Sequence, residues 1–156
     1  MSVMDASIIF INGNIVTMDN GMIAEALAVE NERILYVGDN SQAMKYLSVD
    51  TCVVNLKGKT ITPVYNRTNP LGFIDDILRE AAESNKDNRI YELLESMTLK
   101  ASRDKKTGMI REGYLADIVV LDSNPLVLSF EMLESINLES VYIDGSLVYE
   151  ATKREI

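Results

Sequence analysis

Asp75, Asp76, Glu80 and Glu83 crowd one short stretch, with Asp87 just beyond it. Carboxylates in such numbers could hold a hard cation through oxygen ligands. Successive carboxylates at 75 and 76 point apart on a helix, however, and acidic residues near a helix N-terminus are favoured by its dipole. A solvated acidic face is therefore the reading, with Asp75, Asp76 and Glu80 left as the candidate metal ligands. Tyr65, Arg67 and Arg79 could line an anion pocket, although loop and surface positions account for them with less. Asp117 lies in "YLADIVV", an isolated carboxylate without an acid partner or metal for general acid–base work. No catalytic or cofactor-binding residue is assigned.

What is missing narrows the chemistry further. The chain of 156 residues contains no histidine, so the commonest zinc ligand and the side chain that titrates nearest neutrality are both absent. Cys52 is the single cysteine, set in the apolar run "CVVNL", which predicts a buried, inert thiol and no disulfide. "NLKGKT" lacks the leading glycine and the strand-to-helix setting of a phosphate loop. The eight methionines read as core filler. A formal net charge of −9 argues against nucleic acid or an anionic membrane as partner. No apolar run reaches the ~18 residues of a membrane span, and "MSVMDAS" lacks a basic segment followed by an apolar one. A cytoplasmic protein is expected.

These residues must be positioned by elements that the pattern suggests as follows. "IIFI" at 8–11 runs into Asn12-Gly13, a strong hairpin signal, and "NIVTM" is expected to return. "EALAVENERILYVG" reads as a second hairpin turning at residues 30–32, and "SQAMKYL" as a short helix capped by Ser41 with Met44 and Leu47 on one face. "TCVVNL" and "KTITP" are two strands around Lys57-Gly58. Asn69-Pro70 is expected to start a helix whose buried stripe is Leu71, Ile74, Leu78 and Ala81. A second helix over 88–102 should bury Ile90, Leu93, Leu94, Met97 and Ala101. "YLADIVVLD" is apolar enough to be a strand covered on both faces. Ser129 should cap a short helix carrying Phe130, Leu133 and Ile136, and "SVYIDGSLVYE" closes the chain as a hairpin on Asp144-Gly145.

Three stretches together resemble the metal-dependent amidohydrolase superfamily, in particular its exoenzyme-like branch. "IIFINGNIVTMDN", "EALAVENERILYVGD" and "VVNLKGKTITP" look like the opening strands of that family's small β-sandwich. "GMIREGYLADIVVLDSNPL" is similar to its Gly-hydrophobic-x-x-Gly-x-x-Ala-Asp return, and "VYIDGSLVYE" to its closing hairpin. The resemblance covers residues 6–63 and 93–150, and it implies a structural role for Asp117 in bonding backbone amides.

In that family a (β/α)8 barrel of typically ~250 residues separates the two sandwich halves. No such barrel fits here. The family's Gly-Phe-x-Asp-x-His-x-His after Thr-x-x-Pro is replaced by Val64-Tyr65-Asn66. "GFIDD" at 72–76 is a partial echo, with Ile77 and Arg79 in the histidine positions. Alternatively, "NRTNPLGFIDDILREA" and "RIYELLESMTLKAS" resemble the last barrel helices, an alignment favoured because it runs on collinearly.

The resemblance therefore implies a mainly β (α+β) fold: one domain over 1–156, with sandwich halves 6–63 and 114–150 and a helical insert over 69–103. It would have roughly eight strands, with two or three helices packed on one side and no barrel. The family would use zinc or another divalent metal; this chain, lacking the histidine ligands, is expected to bind none and to be inactive alone. A barrel-less remnant acting as a structural or interaction domain is the leading expectation, and a homodimer shielding the surface left by the barrel is its expected assembly. One alternative is a metal-dependent hydrolase of carbon–nitrogen bonds whose barrel comes from another chain. Another is a ligand- or protein-binding module.

Overall fold

The computed structural model describes residues 5–84, 90–101, 106–127 and 130–151. Among these residues ten strands form two sheets: β1 (Ile8–Ile11), β2 (Asn14–Val16), β3 (Ile23–Ala24), β4 (Ala26–Glu30), β5 (Arg33–Gly38), β6 (Cys52–Asn55), β7 (Thr60–Pro63), β8 (Ile118–Leu121), β9 (Leu138–Ile143) and β10 (Ser146–Glu150). One sheet has the order β5-β4-β1-β6 and the other β10-β9-β8-β7-β2-β3. Among the described residues three α-helices accompany them: α1 (Asn40–Ala43) between β5 and β6, and α2 (Phe73–Ser84) and α3 (Ile90–Ala101) between β7 and β8. The protein is mainly β, and no barrel occurs among the described residues. None of the described helices is long and apolar enough to cross a membrane.

Alternation along the strands builds the layers. Phe10, Leu27, Val29 and Ile34 of the first sheet meet Ile15, Ile61, Ile118, Val120 and Tyr142 of the second in one buried cluster. At its centre Phe10 stands edge-on to Tyr142, with ring centroids 5.3 Å apart. The opposite face of the six-stranded sheet presents Val16, Val119, Leu121 and Val141 to Phe73, Ile77, Ile90, Leu94 and Met97 of α2 and α3. Every residue of β8 is buried, as its composition predicts for a strand covered on both sides. Beyond the four-stranded sheet, the small side chains of Ala26 and Ala28 let Ala43 of α1 approach closely.

Asn12-Gly13 does not close a hairpin. β1 pairs with β4 and β6, whereas β2 pairs with β3 and β7, so this dipeptide carries the chain from one sheet to the other. Asn12 has φ 58°, but Gly13 is not among the positive-φ residues, so the two-residue turn of a hairpin is not made. Lys57-Gly58 makes the same crossing alongside. β6 runs parallel to β1 from Ile8↔Cys52 to Ile11↔Asn55, and β7 runs parallel to β2 at Asn14↔Thr60 and Ile15↔Ile61. The two crossings are tied by Gly58 N–H donating to Asn12 O at 2.8 Å. The hairpins at residues 30–33 and at Asp144-Gly145 form as expected. β3 adds a two-residue strand that pairs antiparallel with β2.

The helices are shifted from their predicted frames. Pro70–Gly72 is a 3-10 turn, the Asn69 side chain makes no cap, and α2 begins at Phe73. Among its described side chains Phe73 and Ile77 are buried and Ile74 and Leu78 pack half-buried against the same cluster, as the stripe requires, while Leu71, ahead of the helix, is 50% exposed. The ring of Phe73 stacks on Tyr65 with centroids 5.6 Å apart. Ile90, Leu93, Leu94 and Met97 are buried as the spacing requires. The burial of Ala81 and Ala101, and the Ser129 cap, lie outside the described residues. Leu133 and Ile136 are buried, in and just after a 3-10 helix spanning Phe130–Ser135.

At α1 the cap is Asp39 rather than Ser41, because the helix starts earlier: Asp39 Oδ1 accepts the Gln42 N–H at 2.8 Å and the Ser41 hydroxyl at 3.1 Å. Leu47 is exposed. Replacing Asp39 with alanine should cost about 1 kcal/mol in urea unfolding, whereas Ser41→Ala should change stability by less than about half of that.

Candidate functional site

The chain leaves the six-stranded sheet after Pro63 and re-enters it at Ile118, and β7 and β8 lie side by side, antiparallel from Thr60↔Leu121 to Pro63↔Ile118. Val64 N–H donates to Asp117 O at 3.0 Å, so the points of departure and return touch. At this junction stands the most desolvated ion pair among the described residues. Asn66 organises the departing loop by accepting from Thr68 N at 3.1 Å and from the Thr68 hydroxyl at 2.6 Å. That turn directs Arg67 back over the sheet. Its Nε lies 2.8 Å from Asp117 Oδ2 and its Nη2 2.6 Å from Asp144 Oδ1. Asp117 Oδ1 accepts the Asp144 N–H at 2.8 Å.

The Asp117 side chain is 1% exposed against 38% for Arg67. Burial pushes the Asp117 carboxyl above the ordinary carboxylate value. The Asp144 amide and the Arg67 guanidinium pull it down, and the neighbouring Asp144 carboxylate adds to the upward push. The Arg67 Nε–H is not aimed along the line to Oδ2, so that oxygen is paired by charge and accepts no hydrogen bond. Both carboxylates face one guanidinium, an arrangement that suits clamping better than proton transfer. It ties together the loop after β7, the start of β8 and the β9–β10 turn.

The residues singled out in the sequence are dispersed. Asp75 is exposed in the first turn of α2, while Asp76 is paired with Arg79 at 3.2 Å, three residues on. The side chains of Glu80 and Glu83, and Asp87, lie outside what the structure describes. Among the described residues no three His, Cys, Asp or Glu side chains come together in a way that could hold a metal ion. Tyr65, Arg67 and Arg79 form no anion pocket, because Arg67 is held by Asp117 and Asp144, Arg79 by Asp76, and the Tyr65 ring stacks on Phe73.

Cys52 is exposed rather than buried. β6 is an edge strand, so the apolar run that suggested a core position flanks an open side of the sheets. There Cys52, Leu56, Lys59, Glu139, Tyr142 and Glu150 line a cleft of about 320 Å³. Burial raises the Tyr142 phenol, with Cys52 and Glu150 adding to the rise and a hydrogen bond with Ser140 opposing it.

The part of the junction that the sequence did not reveal is Arg67. Ala116-Asp117 and Asp144-Gly145 are each visible as motifs, but nothing local marks an arginine 50 residues earlier as their common partner.

No protein-family model matches the sequence, and no curated protein does. Among solved structures, the chain is similar to a protein from Bacillus thuringiensis at 25% identity, covering 37% of this chain and 78% of that one with a TM-score of 0.35. An uncharacterized metal-dependent hydrolase from Pyrococcus furiosus shows 27% identity over 46% of this chain and 16% of its own, TM-score 0.35. D-hydantoinase (dihydropyrimidinase) from Thermus sp. shows 28% identity over 36% and 11%, TM-score 0.29. The chain thus spans about a sixth or less of the two hydrolases it resembles.

Proposed function

We propose that this chain is the composite β-sandwich domain of an amidohydrolase-like protein without its catalytic barrel, acting as a structural or interaction domain. The observation that carries this reading is the junction itself. β7 and β8 pair directly where the family would insert a barrel, Val64 touches Asp117 across the gap, and Arg67 clamps the two sides. α2 and α3 cover the sheet face beside that gap with apolar side chains, so the domain makes its own core.

The zinc or other divalent metal of such hydrolases does not fit the donor set. The chain has no histidine, Asp76 is engaged by Arg79, and Asp117 is engaged by Arg67.

The test is elemental analysis of the purified chain after exposure to zinc and dialysis, alongside assays on N-acyl amino acids and cyclic amides with and without a chelator. Far less than one metal per chain and no chelator-sensitive hydrolysis are expected. One retained metal per chain, or hydrolysis abolished by the chelator, would overturn the reading in favour of a hydrolase. Metal-dependent hydrolysis that appears only on adding a histidine-bearing barrel chain would point to a split enzyme.

A further inference from the structure

Each of the two sheets has two edges, and three of the four are guarded. β3 is two residues long. β5 is closed at its start by the segment over 113–116, through Ile34 N–H to Tyr114 O at 2.8 Å and Gly113 N–H to Ile34 O at 2.9 Å. β10 is bulged between Leu147 and Tyr149 and ends on Glu150. Short length, covering segments, bulges and charges are the ordinary means of keeping sheet edges from pairing. β6, four residues long, has neither bulge nor charge, and no segment among the described residues covers it. It reads Cys52-Val53-Val54-Asn55, carries no charge and no proline, pairs in register with β1 throughout, and leaves Val53 41% exposed.

The free side of β6 is ready to pair. Cys52 N–H donates to Ser7 O and Leu56 N–H to Ile11 O, both at 2.9 Å, so the even-numbered amides are spent on β1. Alternation then turns the amides of Val53 and Asn55 outward. The Asn55 side chain is anchored, accepting from Asn12 Nδ2 at 3.2 Å and from Lys57 N at 3.0 Å, so the strand is held in shape.

We propose that β6 is the dimer interface of this protein, pairing antiparallel with β6 of a second copy across a two-fold axis. The charges at the two ends of the strand select that occupant. Exposed Asp50 precedes β6 and exposed Lys57 follows it. An axis through Val53 or Val54 sets Asp50 opposite position 56 or 58 of the second copy, in either case one residue from its Lys57. The acidic end of each strand therefore lies at the basic end of the other, once on each side of the axis. Elsewhere a chain of net charge −9 repels its own copy, whereas β6 is uncharged and its flanks are self-complementary. The second strand would also cover the open side beside the cleft that Cys52 and Leu147 line.

Sedimentation velocity on the whole chain tests this with three variants. The wild type is expected to be a dimer. Val53→Pro removes an amide that β1 does not use, and proline is tolerated at such edge positions. It should give a monomer with unchanged far-UV circular dichroism. Lys57→Glu should raise the dimer dissociation constant about tenfold, and the double variant Asp50→Lys/Lys57→Glu should restore it. A monomeric wild type overturns the proposal, including the case in which the edge takes a foreign strand. So does a Val53→Pro protein that stays dimeric. Should Val53→Pro misfold, the charge pair decides: a dimer indifferent to Lys57→Glu, or unrestored by the swap, overturns the proposal, and restoration sustains it.

Discussion

Replacing Arg67 with methionine is expected to lower the unfolding free energy by about 2–3 kcal/mol at pH 7, and by much less near pH 3.5. Removing one partner of a fully buried ion pair costs about 3–5 kcal/mol because the other charge is left unpaired. The figure here is reduced because Arg67 is 38% exposed and solvent screens its charge. Methionine keeps most of the packing of the stem, so the loss reports the guanidinium.

The pH dependence follows from the Asp117 carboxyl, whose folded value is raised above the ordinary 3.8. Below that value the group is neutral in both folded and unfolded chains. As the pH climbs through the folded value, the native protein must ionise a buried carboxyl that the unfolded chain ionises freely, so stability is lost. Without Arg67 the attraction that offsets burial disappears, the folded value rises further, and the loss grows. The wild type and Arg67→Met should therefore converge in urea titrations near pH 3.5 and diverge toward pH 7. Acidic groups that do not face Arg67 are common to both proteins and cancel in the difference. A difference independent of pH would mean that Arg67 contributes packing and no charge.

The junction explains why some features could be read along the chain and others could not. The strands at 26–38 and 138–150 lie next to their partners in sequence, so local turn chemistry at Asn31 and at Asp144-Gly145 specifies them. β8 announces burial on both faces by composition alone. Asn12-Gly13 misleads because the partner of β1 beyond the turn is β6, over 40 residues away, and the parallel pairing of two sheet-crossing segments leaves no local trace. Cys52 misleads in the same way, since an apolar run does not reveal whether its strand is central or at an edge. Leu71 departs from its stripe because it falls in the 3-10 turn ahead of α2, whereas Ile74 and Leu78 still pack beside Phe73 and Ile77. The clamp needed three segments to meet before Arg67 acquired a role. Composition had already weakened the metal chemistry, since a chain without histidine lacks the family's ligands wherever its strands fall.

Gly145→Ala should be the most damaging single-methyl change, costing about 3 kcal/mol or more, while Gly58→Ala should cost about 1 kcal/mol. Both glycines have left-handed backbone, with φ 75° and 86°, so both substitutions incur the strain of an L-residue there. Their surroundings separate them. A Cβ on Gly58 meets nothing within 4 Å, whereas one on Gly145 overlaps the Asn31 carbonyl oxygen and comes within 3.0 Å of its carbon. The obstacle is backbone, so no rotamer change relieves it. Asn31 is itself fixed, with φ 52° and its N–H donating to the Ser7 hydroxyl at 2.7 Å. The β9–β10 turn must then lift, which breaks Gly145 N–H to Ala116 O at 3.0 Å and draws the Asp144 amide away from Asp117. The buried carboxylate loses its hydrogen bond, and Arg67 loses the second carboxylate it bridges. Combining Gly145→Ala with Arg67→Met should therefore cost less than the sum of the two, because both disable the same clamp. Equal losses at Gly58 and Gly145 in urea unfolding would show that the turn moves freely, and full additivity with Arg67→Met would show that it does not hold the clamp.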